Sequence, residues 1–113
     1  MSNNHRIDYI ELPANDVAPV KQFYASVFGW KFTDYGPTYT SFEDGRLSGG
    51  FQADPKQAPA KPLVILYAKD LEATLASVKA QGGKITLEIF AFPGGRRFHF
   101  QDPAGNELAV WSE

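Results

Sequence analysis

Two stretches decide the fold: Asp16-Val17-Ala18-Pro19-Val20-Lys21-Gln22-Phe23-Tyr24-Ala25-Ser26-Val27-Phe28-Gly29, and Asp70-Leu71-Glu72-Ala73-Thr74-Leu75-Ala76-Ser77-Val78-Lys79-Ala80-Gln81-Gly82-Gly83. In the first, Val17, Val20, Phe23, Tyr24, Val27 and Phe28 recur at helical spacing, which predicts an amphipathic helix of about three turns. Asn15 or Asp16 can cap its start, Pro19 sits in the first turn where a missing N–H costs little, and Gly29 can close it. In the second, Asp70 caps a helix with Leu71, Leu75 and Val78 on one face, and Gly82-Gly83 stop it. Cap and stop are 13 residues apart in both, and the second pattern lies 54 residues after the first.

The pattern repeats outward from these helices. Before the first, residues 6–12 alternate, with Asp8, Ile10 and Leu12 on one face and Ile7, Tyr9 and Glu11 on the other. Before the second, residues 63–68 are an unbroken apolar run, as in a buried strand. Three short strands follow each helix, at 30–35, 39–42 and 47–52, and at 85–92, 97–101 and 107–111. Gly36-Pro37, Asp44-Gly45, Pro93-Gly94-Gly95 and Asp102-Pro103-Ala104-Gly105-Asn106 supply the turns. Residues 53–62 carry Pro55, Pro59 and Pro62, which exclude a helix or a central strand. The expected organisation is one domain over 1–113, with a module at about 6–52, a linker at 53–62 and a second module at about 63–112. The expected class is α+β, built from two tandem βαβββ modules.

With 113 residues, 43% hydrophobic and 21% charged, the chain suits one globular domain, and a formal charge of −2 gives no basic excess for nucleic acid. Cysteine is absent, which removes disulfides, thiolate metal sites and a cysteine nucleophile. No apolar run approaches the roughly 20 residues of a membrane span, so the expected location is the cytoplasm, with no membrane partner.

The sequence resembles the vicinal oxygen chelate superfamily, which includes glyoxalase I, extradiol dioxygenases, fosfomycin-resistance enzymes and bleomycin-resistance proteins. The resemblance runs from about Ile7 to Trp111. It is carried by Leu12-Pro13-Ala14-Asn15-Asp16 leading to Phe23-Tyr24 and Val27-Phe28-Gly29-Trp30, by Ala68-Lys69-Asp70-Leu71-Glu72 leading to Gly82-Gly83, and by Gln101-Asp102-Pro103-Ala104-Gly105-Asn106 before a last strand. It implies that the modules form a cupped mixed barrel with helices outside and a ligand in the cup, and it favours a homodimer. It also implies metal ligands on the first and last strand of each module. Alignment puts Tyr9, Gly49, Leu63 and Ala109 at those four positions, a set poor in ligands. The expectation is therefore no metal and no cofactor, and a protein of the metal-free, ligand-binding branch. An enzyme of lyase or isomerase type, using acid–base residues or an unconventional divalent site, is the alternative. A module kept for dimerisation alone is a third.

The candidate ligand-binding residues are Tyr9, Glu11, Arg97, His99, Gln101 and Trp111. Glu11 and His99 are the candidate acid–base pair. Tyr9 and Glu11 share a strand face. Arg97, His99 and Gln101 alternate with Phe98 and Phe100, so if the phenylalanines face the helices, the polar trio faces the cup; in the reverse register the trio is solvated. Arg96-Arg97 could hold a carboxylate or phosphate, or form a surface pair. Gly49-Gly50 marks a bulge or a close backbone approach. Trp111 is a candidate pocket wall, and Trp30 a core residue. His5 lies near the chain start, where ends fray.

Overall fold

A computed structural model describes residues 3–113. In chain order the elements are β1 (Arg6–Pro13), α1 (Val17–Phe28), β2 (Lys31–Asp34), β3 (Tyr39–Glu43), β4 (Ser48–Gln52), β5 (Leu63–Tyr67), α2 (Leu71–Ala80), β6 (Lys84–Phe92), β7 (Gly95–Gln101) and β8 (Glu107–Ser112). The α+β class and the βαβββ order, twice over, are as the sequence predicts. The chain divides into two compact units, Tyr9–Leu63 and the residues up to Asp8 with Val64–Glu113.

In the first unit the strand order is β2-β3-β4-β1. The β2–β3 and β3–β4 pairs are antiparallel, and β4 runs parallel to β1. In the second it is β5-β8-β7-β6, with β5 parallel to β8 and the other pairs antiparallel. Neither four-strand set closes on itself, so each module is an open sheet, not a ring.

The helix ends follow the caps. The Asp16 carboxylate accepts from the Ala18 N–H, and Gly29 takes the left-handed conformation at φ 74° that a Cβ disfavours. The Asp70 carboxylate accepts from the Ala73 N–H, and α2 ends before Gly82, at φ 93°. α2 buries Leu71 fully and packs Leu75 and Val78 against Ala68, Phe98 and Val110, with Ile85, Ile89 and Phe100 around them.

The stripe predicted on α1 is only half used. Tyr24 stacks on Trp30 at 4.6 Å and meets Phe51 at 5.3 Å, and Trp30 stacks on Phe42 at 4.5 Å. Phe23, Val27 and Phe28 remain 54%, 58% and 61% exposed. The aromatic stack takes up the contact that a wider apolar face would have made. Trp30 thus belongs to the first module's core, although it lies just outside β2.

Gly49 and Gly50 lie in an unbroken register, opposite Ile10 and Glu11, so no bulge is present. Both serve close approach. A Cβ on Gly49 would strike the Phe42 ring and the Ile10 carbonyl, and one on Gly50 would strike the phenol oxygens of Tyr39 and Tyr9.

Candidate functional site

Each sheet has one face on its helix and one face away from it. In the second module, Phe98 and Phe100 pack on the α2 side. Cross-strand partners share a face, and the register pairs Arg97 with Trp111, His99 with Ala109 and Gln101 with Glu107. Arg97, His99, Gln101 and Trp111 therefore gather on the face away from α2. Tyr9 and Glu11 lie in the other unit.

An aromatic wall occupies this face. Trp111 meets Tyr67 edge-on at 5.3 Å and Phe92 at 6.4 Å. Its indole N–H donates to the Asp8 carboxylate at 2.9 Å. The Arg97 guanidinium lies 5.4 Å from the Phe90 ring centre and 5.7 Å from that of Phe92, within cation–π range. The four rings are half-buried. Arg96, one residue along, turns away: its guanidinium holds the Glu72 carboxylate of α2 at 2.5 Å and 3.2 Å. The two arginines thus form no joint anion site.

His99 is 9% exposed. Its Nδ1 lies 3.1 Å from Glu107 Oε2, and the Thr86 hydroxyl donates to the same oxygen at 3.2 Å. A carboxylate only accepts, so Nδ1 carries the proton in this contact. The other ring nitrogen, Nε2, is buried without a hydrogen-bond partner. The Phe90 ring lies 6.0 Å away.

Burial pushes the His99 pKa below 6.5 and the Arg97 charge pushes it the same way, against the pull of Glu107. The unfolded chain binds a proton near pH 6.5 while the native ring stays neutral, so stability should fall as pH drops from about 6.5 toward the native pKa, then level off. Urea unfolding of wild type and His99→Gln at several pH values checks this: the wild type should lose more stability on acidification than the variant. Equal losses would show that His99 is not held neutral.

In the first module, the Tyr9 and Tyr39 phenols hydrogen-bond to one another over Gly50. Glu11, opposite Gly50, is 7% exposed. His5 is better anchored than its position predicts: its N–H donates to the Tyr67 carbonyl at 2.7 Å, and its ring lies 3.4 Å from the Thr74 hydroxyl. A separate open hollow of about 570 Å³, lined by Pro13, Ala14, Asn15, Ala53, Pro55 and Ala58, presents no acid–base side chain.

The expected ligand positions need one correction. Gly49 faces Phe42 and the helix side, whereas Ser48 and Gly50 share the Tyr9 face. The offset arises at the turns: β4 begins three residues after Gly45, and β8 two residues after Gly105. Ala109 therefore corresponds to Gly50. The set becomes Tyr9, Gly50, Leu63 and Ala109, which offers a single neutral phenol, a poor divalent-ion ligand. Among the described residues, no three His, Cys, Asp or Glu side chains group to hold a metal ion. The residues present do not fit the chelated ion of the family's enzymes.

Fold, repeat and strand positions together define a class, and comparison with known proteins agrees with it. Residues 6–110 match the model of the glyoxalase/bleomycin resistance protein/dioxygenase superfamily, and the chain belongs to that superfamily. It is 32% identical to the anthracycline biosynthesis protein DnrV of Streptomyces peucetius, over 91% of this chain and 45% of that one. It is 29% identical to a glyoxylase-like domain-containing protein of Didymella fabae, over 93% and 91% of the two chains. The Mn(II)-bound glyoxalase of Novosphingobium aromaticivorans superposes with a TM-score of 0.69 at 26% identity, covering 99% of this chain and 40% of that one. The chain thus spans less than half the length of DnrV and of the Novosphingobium enzyme.

Proposed function

We propose that the chain is a small-molecule-binding protein that takes a planar organic ligand on the α2-distal face of its second module, without a resident metal. One observation carries this reading: Tyr67, Phe90, Phe92 and Trp111 form a half-exposed aromatic wall on a sheet face. Such walls supply area and ring stacking, while a few polar groups fix orientation. Asp8 holds the Trp111 indole in place, and Arg97 is set over two of the rings. Among the described residues no helix is long and apolar enough to cross a membrane. On this reading the protein works in the cytoplasm as a homodimer, a second copy covering the edge strands β2 and β6.

Trp111 fluorescence, followed with Trp30→Phe as background, tests the reading against a panel of planar aromatic compounds. We expect saturable quenching and a raised melting temperature for at least one compound, and at least tenfold weaker binding in Trp111→Ala, read there from the melting-temperature shift because that variant has lost the reporting indole. The proposal fails if no aromatic compound binds, or if Mn²⁺, Zn²⁺, Ni²⁺ or Fe²⁺ binds stoichiometrically and is required for binding.

A second reading is favoured by the His99–Glu107 contact: a lyase or isomerase that moves a proton between His99 or Glu11 and its substrate. A pH–rate profile that loses one limb in Glu11→Gln or His99→Gln would support it.

A further inference from the structure

We propose that His99 and Glu107 form a fixed-tautomer acceptor site, in which the Glu107 carboxylate holds Nδ1–H and the Nε2 lone pair receives the hydroxyl of a neutral, ring-bearing ligand. The inference deepens the aromatic-ligand reading above and rests on it.

Two observations, joined by one rule of imidazole chemistry, converge on Nε2. The Glu107 oxygen that faces Nδ1 is itself fixed by the Thr86 hydroxyl, so the carboxylate has a defined orientation. An imidazole that donates through Nδ1 must present a lone pair at Nε2. That nitrogen is buried and lacks a hydrogen-bond partner, and buried polar atoms left unpaired are rare outside sites that take a ligand or water.

The strand beside it is irregular at the same place. β6 pairs Leu87 with His99, and its register shifts on both sides of Leu87, between Ile85 and Leu87 and between Leu87 and Phe90. Bulges of this kind re-aim side chains next to functional sites. Leu87 is 46% exposed although it is apolar and opposite a buried residue. Leu87, opposite His99 on a segment with interrupted pairing, is the neighbour placed to move aside for a ligand.

The surroundings select the donor. Nε2 accepts, so the ligand must donate. Arg97 is close enough for its charge to act on His99, and it disfavours a second cation there. That disfavours an ammonium and favours a neutral donor, of which a hydroxyl is the simplest. The Phe90 ring beside His99 and the wall leading to Trp111 favour a ring on the same molecule.

Naphthalen-2-ol and its methyl ether, 2-methoxynaphthalene, separate the two layers of the argument. They share the ring system, and only the first donates. We expect the hydroxyl compound to bind wild type about tenfold more tightly, the factor that a net hydrogen bond of ~1.4 kcal/mol gives. In Glu107→Ala, which changes a half-exposed side chain, the preference should disappear while the ether binds as before. ¹⁵N NMR of the imidazole should show Nδ1 protonated in wild type and a mixture of tautomers in Glu107→Ala, a signature that a merely structural Glu107 would not give. Thr86→Val should shift both readouts in the same direction by less.

Equal binding of the two compounds to wild type, or an Nε2–H tautomer, would overturn the acceptor site and leave the aromatic reading standing. Failure of both compounds to bind would overturn the acceptor site, and failure of the whole aromatic panel would overturn the reading beneath it as well.

Discussion

Phe98→Ala should cost about 3–5 kcal/mol of folding stability, the range for deleting a fully buried phenylalanine ring. Phe98 has no exposed surface and sits against Ala68, Leu71 and Val110 where α2 meets its sheet. Those neighbours come from the residue just after β5, the start of α2 and the middle of β8, so no one of them can relax into the vacated space without disturbing the others. The loss would be a large share of the 5–15 kcal/mol that domains typically possess. Urea unfolding followed by circular dichroism measures it. Phe98→Leu, which restores most of the volume, should recover more than half of the deficit. A cost below about 1 kcal/mol for Phe98→Ala would mean that this ring does not anchor the helix to the sheet.

The second large effect is expected in the other module. Gly50→Ala places a methyl group where the Tyr39 and Tyr9 phenol oxygens meet, so one of the tyrosines must move. Overpacking of this kind typically costs 1–3 kcal/mol, to which about 1 kcal/mol is added for the broken phenol–phenol hydrogen bond. A double-mutant cycle with Tyr39→Leu isolates the clash. In that background the same methyl group has fewer atoms to displace, and the penalty should shrink by at least 1 kcal/mol. Strict additivity of the two changes would show that Gly50 is glycine for another reason. Gly49→Ala provides a contrast: its clash includes the Ile10 carbonyl, which no side-chain replacement relieves.

The parts of the fold legible in the sequence are those written in local chemistry. Asp16 and Gly29 bound α1, Asp70 and the glycine pair bound α2, and three prolines keep residues 53–62 out of either sheet. The recurrence of one pattern at a fixed offset assembled these signals into a fold. Facing was half legible. Alternation ties His99 to Arg97 and Gln101, but only contact with α2 shows that Phe98 takes the core side. The partner of His99 was within reach of sequence reasoning. A tight turn at Asp102–Asn106 pairs Gln101 with Glu107, which brings Glu107 near His99 on the same face.

Other features were out of reach. The indole of Trp111 and the carboxylate of Asp8 lie 103 residues apart, and no local pattern links them. The ligand position on β4 was missed by one residue because the two final turns differ in length. That small difference inverts the face of every following side chain. The apolar stripe of α1 predicts burial for Phe23, Val27 and Phe28, but how much of a stripe is covered depends on its neighbours, here Trp30 and Phe51.

The stretch from Asn4 to Asp8 has a consequence for the order in which the protein can be built. Asn4 accepts from the Lys69 N–H, His5 donates to Tyr67, and Asp8 receives the Trp111 indole. On a ribosome these residues emerge well before their partners, which lie about 60 to 100 residues further along the chain. Tyr9–Leu63 is complete as a compact unit while the chain is still growing, whereas the unit that includes Asp8 must wait until Trp111 has left the exit tunnel. Assembly is thus expected in two steps, an early one for Tyr9–Leu63 and a later one that recruits Asn4–Asp8 once Tyr67, Lys69 and Trp111 are available.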